Sequence, residues 1–214
     1  MVEAVVDNDV VEKLSRWAVS AALPDALKVP VSEIGYLATL KFVVGKRIAT
    51  LASCEAKSAL ANFLAMGSEL EATDEEIELA AEIEAAAIDS ELDLDAGESI
   101  LIAVSLKRDV KKLATGDKRA VCSCQPLSQT LNLIEPLRGR IITLEQILAQ
   151  LIRQLDFGEL RGKVCGDPCD KTAGICFGCS SEGSSETSAL DALLSYQKHL
   201  AKESSEFTAP NLAS

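Results

Sequence analysis

The chain has 214 residues and carries 33 acids against 21 bases, a formal net charge of −12, with 48% hydrophobic and only 4% aromatic residues. That hydrophobic share excludes wholesale disorder and predicts an aliphatic core, and the length suits one domain plus an extension. The charge argues against a phosphate-tracking surface over the whole molecule, yet it is uneven: 13 acids and no Lys or Arg lie between Gly67 and Leu106, leaving 20 acids against 21 bases elsewhere.

Val2–Val6 is a short β-branched run ending in Asp7-Asn8-Asp9, which predicts a buried strand and a turn. Val10, Leu14, Trp17, Ala18 and Ala21 then share one helical face, with Asp9 and Glu12 at capping-box spacing and Pro24 as the stop. Residues 29–33 give a weak strand or turn signal. The continuous apolar run Ile34–Val44 predicts a core helix, followed by a second helix from about Ala49 to Met66 that Gly67 breaks. Thr73-Asp74-Glu75-Glu76 is a capping box for an acidic helix to about Ile88. Glu98 opens a helix over Ser99–Lys107, and Val110–Thr115 reads as a strand ending in Gly116-Asp117. Lys118 starts a helical stretch interrupted by Pro126, and Arg140–Leu144 is a last strand before a helix over Glu145–Leu155. Strands alternating with helices predict an α/β domain with a mainly parallel sheet over residues 1–157. Residues 158–188 read as a Cys/Gly/Ser-rich segment and linker, 189–203 as an amphipathic helix, and 204–214 as a disordered tail.

Active sites of open α/β sheets lie beyond the carboxyl ends of the strands. Asp7 ends the first strand, Asp117 ends the Val110–Thr115 strand, and Glu98 opens the helix just before it; Asp9 follows Asp7 by two residues. Converging carboxylates repel one another unless a cation neutralises them, and oxygen-only ligation suits Mg²⁺ or Mn²⁺. Each acid also has a plainer role open to it: Asp9 as an N-cap, Glu98 as a helix-dipole partner, Asp117 as a turn residue.

Val5-Val6-Asp7-Asn8-Asp9-Val10-Val11 resembles the opening strand of PIN-like domains, a superfamily of metal-dependent nucleases. Leu94–Ala103, with its Gly97-Glu98 pair, resembles their third acidic motif, Leu113–Ala120 their fourth, and Arg140–Leu148 their closing strand and helix. The resemblance covers about residues 1–157. It implies a three-layer, Rossmann-type α/β fold and phosphodiester hydrolysis, usually of RNA, by a toxin, a defence effector or an RNA-processing enzyme. Asp7, Glu98 and Asp117 would hold the metal, with Asp9 or Asp95 assisting. The family's second acid would be Glu33, with Glu55 as the alternative.

Lys118 and Arg119 are candidate phosphate contacts, within a stretch from Ser105 to Lys163 that holds 11 bases and six acids. Asp-x-Asp after an apolar strand also resembles haloacid-dehalogenase-type phosphatases, with Asp7 as nucleophile and Asp9 as acid/base. That chemistry wants a second acid soon after Gly116-Asp117, where Lys118-Arg119-Ala120-Val121 supplies none. A third reading is a catalytically degenerate PIN-like binding subunit.

Cys165-x3-Cys169 and Cys176-x2-Cys179 could hold Zn²⁺ or an iron–sulfur cluster, or stay reduced thiols in a packed loop. No run reaches the roughly 18 apolar residues of a membrane helix, and Met1-Val2-Glu3 lacks a signal peptide's basic start. A cytoplasmic protein is expected, its seven cysteines serving as thiols or metal ligands rather than a disulfide framework. Its partners would be nucleic acid, RNA before DNA, and a second copy or partner chain on the C-terminal helix where that helix does not pack on the domain; no membrane partner is expected.

Overall fold

The computed structural model describes residues 1–210 apart from 52, 182 and 205. In chain order the elements are β1 (Ala4–Val6), α1 (Asn8–Arg16), α2 (Leu23–Leu27), β2 (Ile34–Leu37), α3 (Leu40–Leu51), α4 (Cys54–Met66), β3 (Ser68–Leu70), α5 (Asp74–Asp89), α6 (Ala96–Lys107), β4 (Lys112–Thr115), α7 (Lys118–Thr130), β5 (Ile141–Thr143), α8 (Leu144–Gln154), α9 (Phe157–Gly166), α10 (Lys171–Cys176) and α11 (Glu186–Ser204). The five strands are all parallel, in the order β3-β2-β1-β4-β5.

Side chains alternate across each strand, so the sheet faces two cores. Ala4, Val6, Ala114 and Ile142 point into one, with α1, α2, α4 and α8. Val5, Leu113 and Ile141 point into the other, with α5, α6 and α7. The result is the expected three-layer α/β architecture. As the composition requires, the cores are chiefly aliphatic, and their largest fully buried side chains include Trp17, Tyr36, Phe177 and Phe207.

Several local expectations are corrected. The Ile34–Val44 run is a strand followed by a helix: Ile34 and Tyr36 face one core and Leu37 the other, a period of two that uniform hydrophobicity hides. The Asp9–Glu12 capping box does not form; Asp7 is the N-cap residue of α1. Pro24 sits in the first turn of α2, where its missing N–H costs nothing, rather than ending a long helix. Pro126 lies inside α7 without interrupting it, with Val121, Cys124 and Leu127 buried on either side. β3 escaped the sequence because three residues, Ser-Glu-Leu, carry no readable period.

The C-terminal third wraps the domain. Leu160, Val164, Ala173, Cys176 and Phe177 of the Cys-containing segment are buried in the first core. The apolar face of α11 is covered by the chain itself: Ala189 and Leu193 enter the first core and Leu200 the second. The start of the expected disordered tail is ordered. Ile141 N–H donates to the Phe207 carbonyl and Ala209 N–H to the Ile141 carbonyl, so residues 207–209 line the outer edge of β5. Phe207 is fully buried beneath the Arg138 guanidinium, 4.6 Å from its ring centre. The edge pairing satisfies backbone groups that β5 would otherwise expose.

Candidate active site

Because β2 and β3 lie on one side of β1, and β4 and β5 on the other, neighbouring connections part between β1 and β4. A crevice opens at the carboxyl end of such a switch point. Asp7 follows β1 there, and its backbone N–H donates to the Ala114 carbonyl at 2.9 Å, extending the ladder to the acid itself. Across the gap, Thr115 ends β4 and its hydroxyl donates to Asp7 Oδ2 at 3.0 Å. The same hydroxyl accepts the Asp117 N–H at 3.1 Å, so one Thr side chain ties both acids to the edge. Sequence reasoning overlooked Thr115; its signal was a hydroxyl at the last residue of a strand directly before Gly-Asp.

Asp117 caps α7, accepting the Arg119 and Ala120 N–H groups at 2.8 and 3.2 Å. Glu98 enters from α6 as the third residue of a capping box. It accepts the Asp95 N–H at 2.8 Å while Asp95 accepts the Glu98 N–H at 2.8 Å. Its carboxyl lies near enough to Asp117 for the two to feel each other's charge. Three elements far apart in sequence thus deliver Asp7, Glu98 and Asp117 to one edge. Asp95 fixes the Glu98 carboxyl through its cap.

The protonation of these groups follows from burial. Burial, reinforced by Asp9, raises Asp7 to about 6 against the partial relief of the Thr115 hydroxyl. Burial raises Glu98 to about 8, with Asp117 and Asp95 adding like charge. Asp117 is buried too, but Arg119 and the two N–H donors at the start of α7 outweigh burial and hold it down, at about 2. Burial thus pushes Glu98 toward its protonated form, while Arg119 and the helix start keep Asp117 toward its ionised form.

Asp9 stands apart. Lys13 Nζ lies 2.7 Å from Asp9 Oδ2 and 2.7 Å from Asp170 Oδ2, an internal cation between two carboxylates. A Cβ at Gly116 would lie 2.1 Å from Asp9 Oδ2, so only glycine lets this pair approach the β4 loop. The candidate phosphate contacts are also engaged. Lys118 Nζ lies 2.7 Å from Glu145 Oε1 and donates to Thr172 Oγ1 at 2.8 Å. Arg119 bridges Asp117 and Asp93 at 2.8 and 3.0 Å. Beside them lies an open groove of about 380 Å³ lined by Asp93, Lys118, Arg119, Cys122, Ser123 and Glu203.

Glu33 does not join the site. It precedes β2 rather than following it, so it lies at the amino end of the parallel sheet, opposite Asp7. The misplacement follows from reading Ile34–Leu37 as helix. Glu55 is exposed in the first turn of α4. The residues directly after β2 are Ala38-Thr39-Leu40-Lys41, and none is an acid.

The oxygen-only donor set, in which only Asp117 has a cation paired with it among the described residues, fits a hard divalent cation in chemistry. Among the described residues, however, no three His, Cys, Asp or Glu side chains are arranged as a ready metal shell. The four-thiolate reading of the C-terminal cysteines is corrected. Cys165 and Cys179 form a disulfide, Cα atoms 5.2 Å apart, and only Cys169 and Cys176 remain thiols. The chain doubles back after α9, where Arg161 holds the Phe177 and Gly178 carbonyls, and this brings the two ends together.

Among the described residues, no helix is long and apolar enough to cross a membrane. Compared with family models, curated proteins and solved structures, the chain matches none.

Proposed function

We propose that this chain is a PIN-like, divalent-metal-dependent nuclease that hydrolyses phosphodiester bonds, in RNA before DNA. The observation that carries the reading is the delivery of Asp7, Glu98 and Asp117 from three separate elements to the carboxyl edge between β1 and β4. The raised pKa values of Asp7 and Glu98 support it, because buried carboxylates crowded by like charge are what a divalent ion relieves. Mg²⁺ or Mn²⁺ held by these three carboxylates would supply Lewis acidity and a more acidic bound water.

The chain's own residues divide the remaining work. The Thr115 hydroxyl fixes Asp7 Oδ2, and Arg119 holds Asp117 ionised. Lys118 and Arg119 border the groove through which a polyanionic strand would pass. Asp9, paired with Lys13, is not free to act as the acid/base of a phosphatase. A cytoplasmic location belongs to the same proposal: five cysteines among the described residues are free, and a reducing compartment would open the Cys165–Cys179 disulfide.

The test is cleavage of RNA and single-stranded DNA oligonucleotides with Mn²⁺, wild type against Asp7→Asn. Cleavage lost in the variant at unchanged circular dichroism is the expected result, and equal activity would overturn the reading. A non-catalytic binding subunit is the second reading, favoured by the missing acid after β2 and the unassembled ligand shell. Calorimetry that detects no Mn²⁺ binding in the wild type would select it.

A further inference from the structure

The cations beside the site are held by a segment outside the sheet domain. Between Cys165 and Cys179 the chain carries Asp167, Asp170 and Thr172, which reach the end of α1, the middle of α1 and the start of α7 in turn. Asp170 pairs with Lys13 at 2.7 Å, and Thr172 accepts from Lys118 at 2.8 Å. Asp167 accepts from Arg16 Nε at 2.8 Å, and its carbonyl accepts the indole N–H of Trp17 at 2.9 Å. The Lys13 side chain is left only 13% exposed. A phosphate approaching Lys13 must therefore compete with Asp9 and Asp170.

We propose that the Cys165–Cys179 disulfide is a thiol-sensitive latch that keeps Asp170 on Lys13 and Thr172 on Lys118, and that its reduction releases these two lysines for a polyanionic ligand. The disulfide closes the loop that contains every one of these contacts. Without it, the loop is restrained by α10, six residues long, by the burial of Ala173, Cys176 and Phe177, and by Arg161 on the Phe177 and Gly178 carbonyls, all of it from residue 171 onward. A helix of that length has little stability of its own, so the polar anchors at 167–172 are the part that loosens.

The chemistry balances with an external dithiol. Its two thiols deliver two electrons and two protons, the Cys165–Cys179 bond breaks to give two thiols, and the reductant closes to a disulfide. Cys169 and Cys176 lie in the same segment but do not open the latch internally. Burial first, with neighbouring acids, raises them to about 12 and 11, so both stay protonated and are poor nucleophiles.

The chain's single tryptophan reports on the latch directly, since Trp17 donates to the segment while 1% exposed. The experiment compares the full chain with and without dithiothreitol, and with the Cys165→Ser/Cys179→Ser double variant. Trp17 emission is recorded, and acetylation of Lys13 and Lys118 by an amine reagent is read by mass spectrometry. Expected are a red-shifted emission and a severalfold rise in labelling at both lysines on reduction. The double variant should show both without reductant, at unchanged far-ultraviolet circular dichroism. Emission and labelling that do not move once seven free thiols are titrated would overturn the latch. So would a double variant indistinguishable from the oxidised chain.

The consequence for turnover rests on the nuclease reading: reductant should raise oligonucleotide cleavage severalfold. Cleavage indifferent to reductant overturns the gating of activity. Cleavage absent in every state counts against the nuclease reading, and the labelling of Lys13 and Lys118 still decides the latch.

Discussion

Two helix starts in this molecule are built from the same local device and end in opposite chemistry. α5 begins with Thr73 and Glu76, α6 with Asp95 and Glu98, and in each the third residue is a Glu that reaches back to the cap N–H at 2.8 Å. Glu76 meets Arg108, whose Nε and Nη2 lie 2.6 and 2.8 Å from its two oxygens. That pairing outweighs burial and lowers its pKa. Glu98 faces Asp117 and, among the described residues, has no ion pair, so burial and like charge raise it to about 8. The capping box is written in four consecutive residues. Whether its Glu is a structural anion or a reactive acid is decided by the residue that arrives from across the fold.

If the α6 start belongs to an active site and the α5 start does not, the largest contrast is in turnover. Asp7→Asn should lower Mn²⁺-dependent oligonucleotide cleavage by more than about a hundredfold, since even an outer partner of a metal site is worth roughly ten- to a hundredfold. Arg108→Ala should leave cleavage intact but strand Glu76 as a buried, unpaired anion. The expected cost is about 3 kcal/mol, read as a lower urea midpoint. A variant as stable as wild type would break the comparison.

The two glutamates should also give opposite pH slopes. Glu98 holds its proton up to about 8 in the folded chain against an ordinary 4.5, so the folded state binds more protons between those values. Stability of the metal-free protein therefore falls as pH rises from about 4.5 to about 8, and Asp7 adds the same sign between 3.8 and about 6. Glu76, lowered, contributes stability above 4.5 that is lost on acidification. Urea midpoints at pH 6 and 8.5 should drop for the wild type and drop less for Glu98→Gln; an unchanged slope would remove Glu98 as its source.

The smallest effects are the caps themselves. Thr73→Ala and Asp95→Ala should each cost about 1 kcal/mol. Only Asp95→Ala should also weaken Mn²⁺ binding by calorimetry, because only that box positions a site carboxylate.

The alternation of strands and helices was legible along the chain, and so was the placement of Asp7 and Asp117 at strand ends, because apolar period and turn residues are local properties. The α5 capping box was legible for the same reason. The Ile34–Leu37 strand was not, since a segment buried on both faces has no polar residue to mark its period. That error carried Glu33 to the wrong edge. Thr115, Lys13 and Asp170 were invisible as site neighbours because their partners lie up to 157 positions away.

By itself the sequence determined the layered α/β class, the aliphatic core and the acids that end β1 and β4, all properties of neighbouring residues. Tertiary structure alone decided which charges are compensated. It gave Glu76 an arginine, gave Glu98 an aspartate, closed Cys165 onto Cys179 and set Lys13 between Asp9 and Asp170. Burial and charge pairing act through space at a few ångströms, and no spacing along the chain encodes which distant side chain will fill that distance.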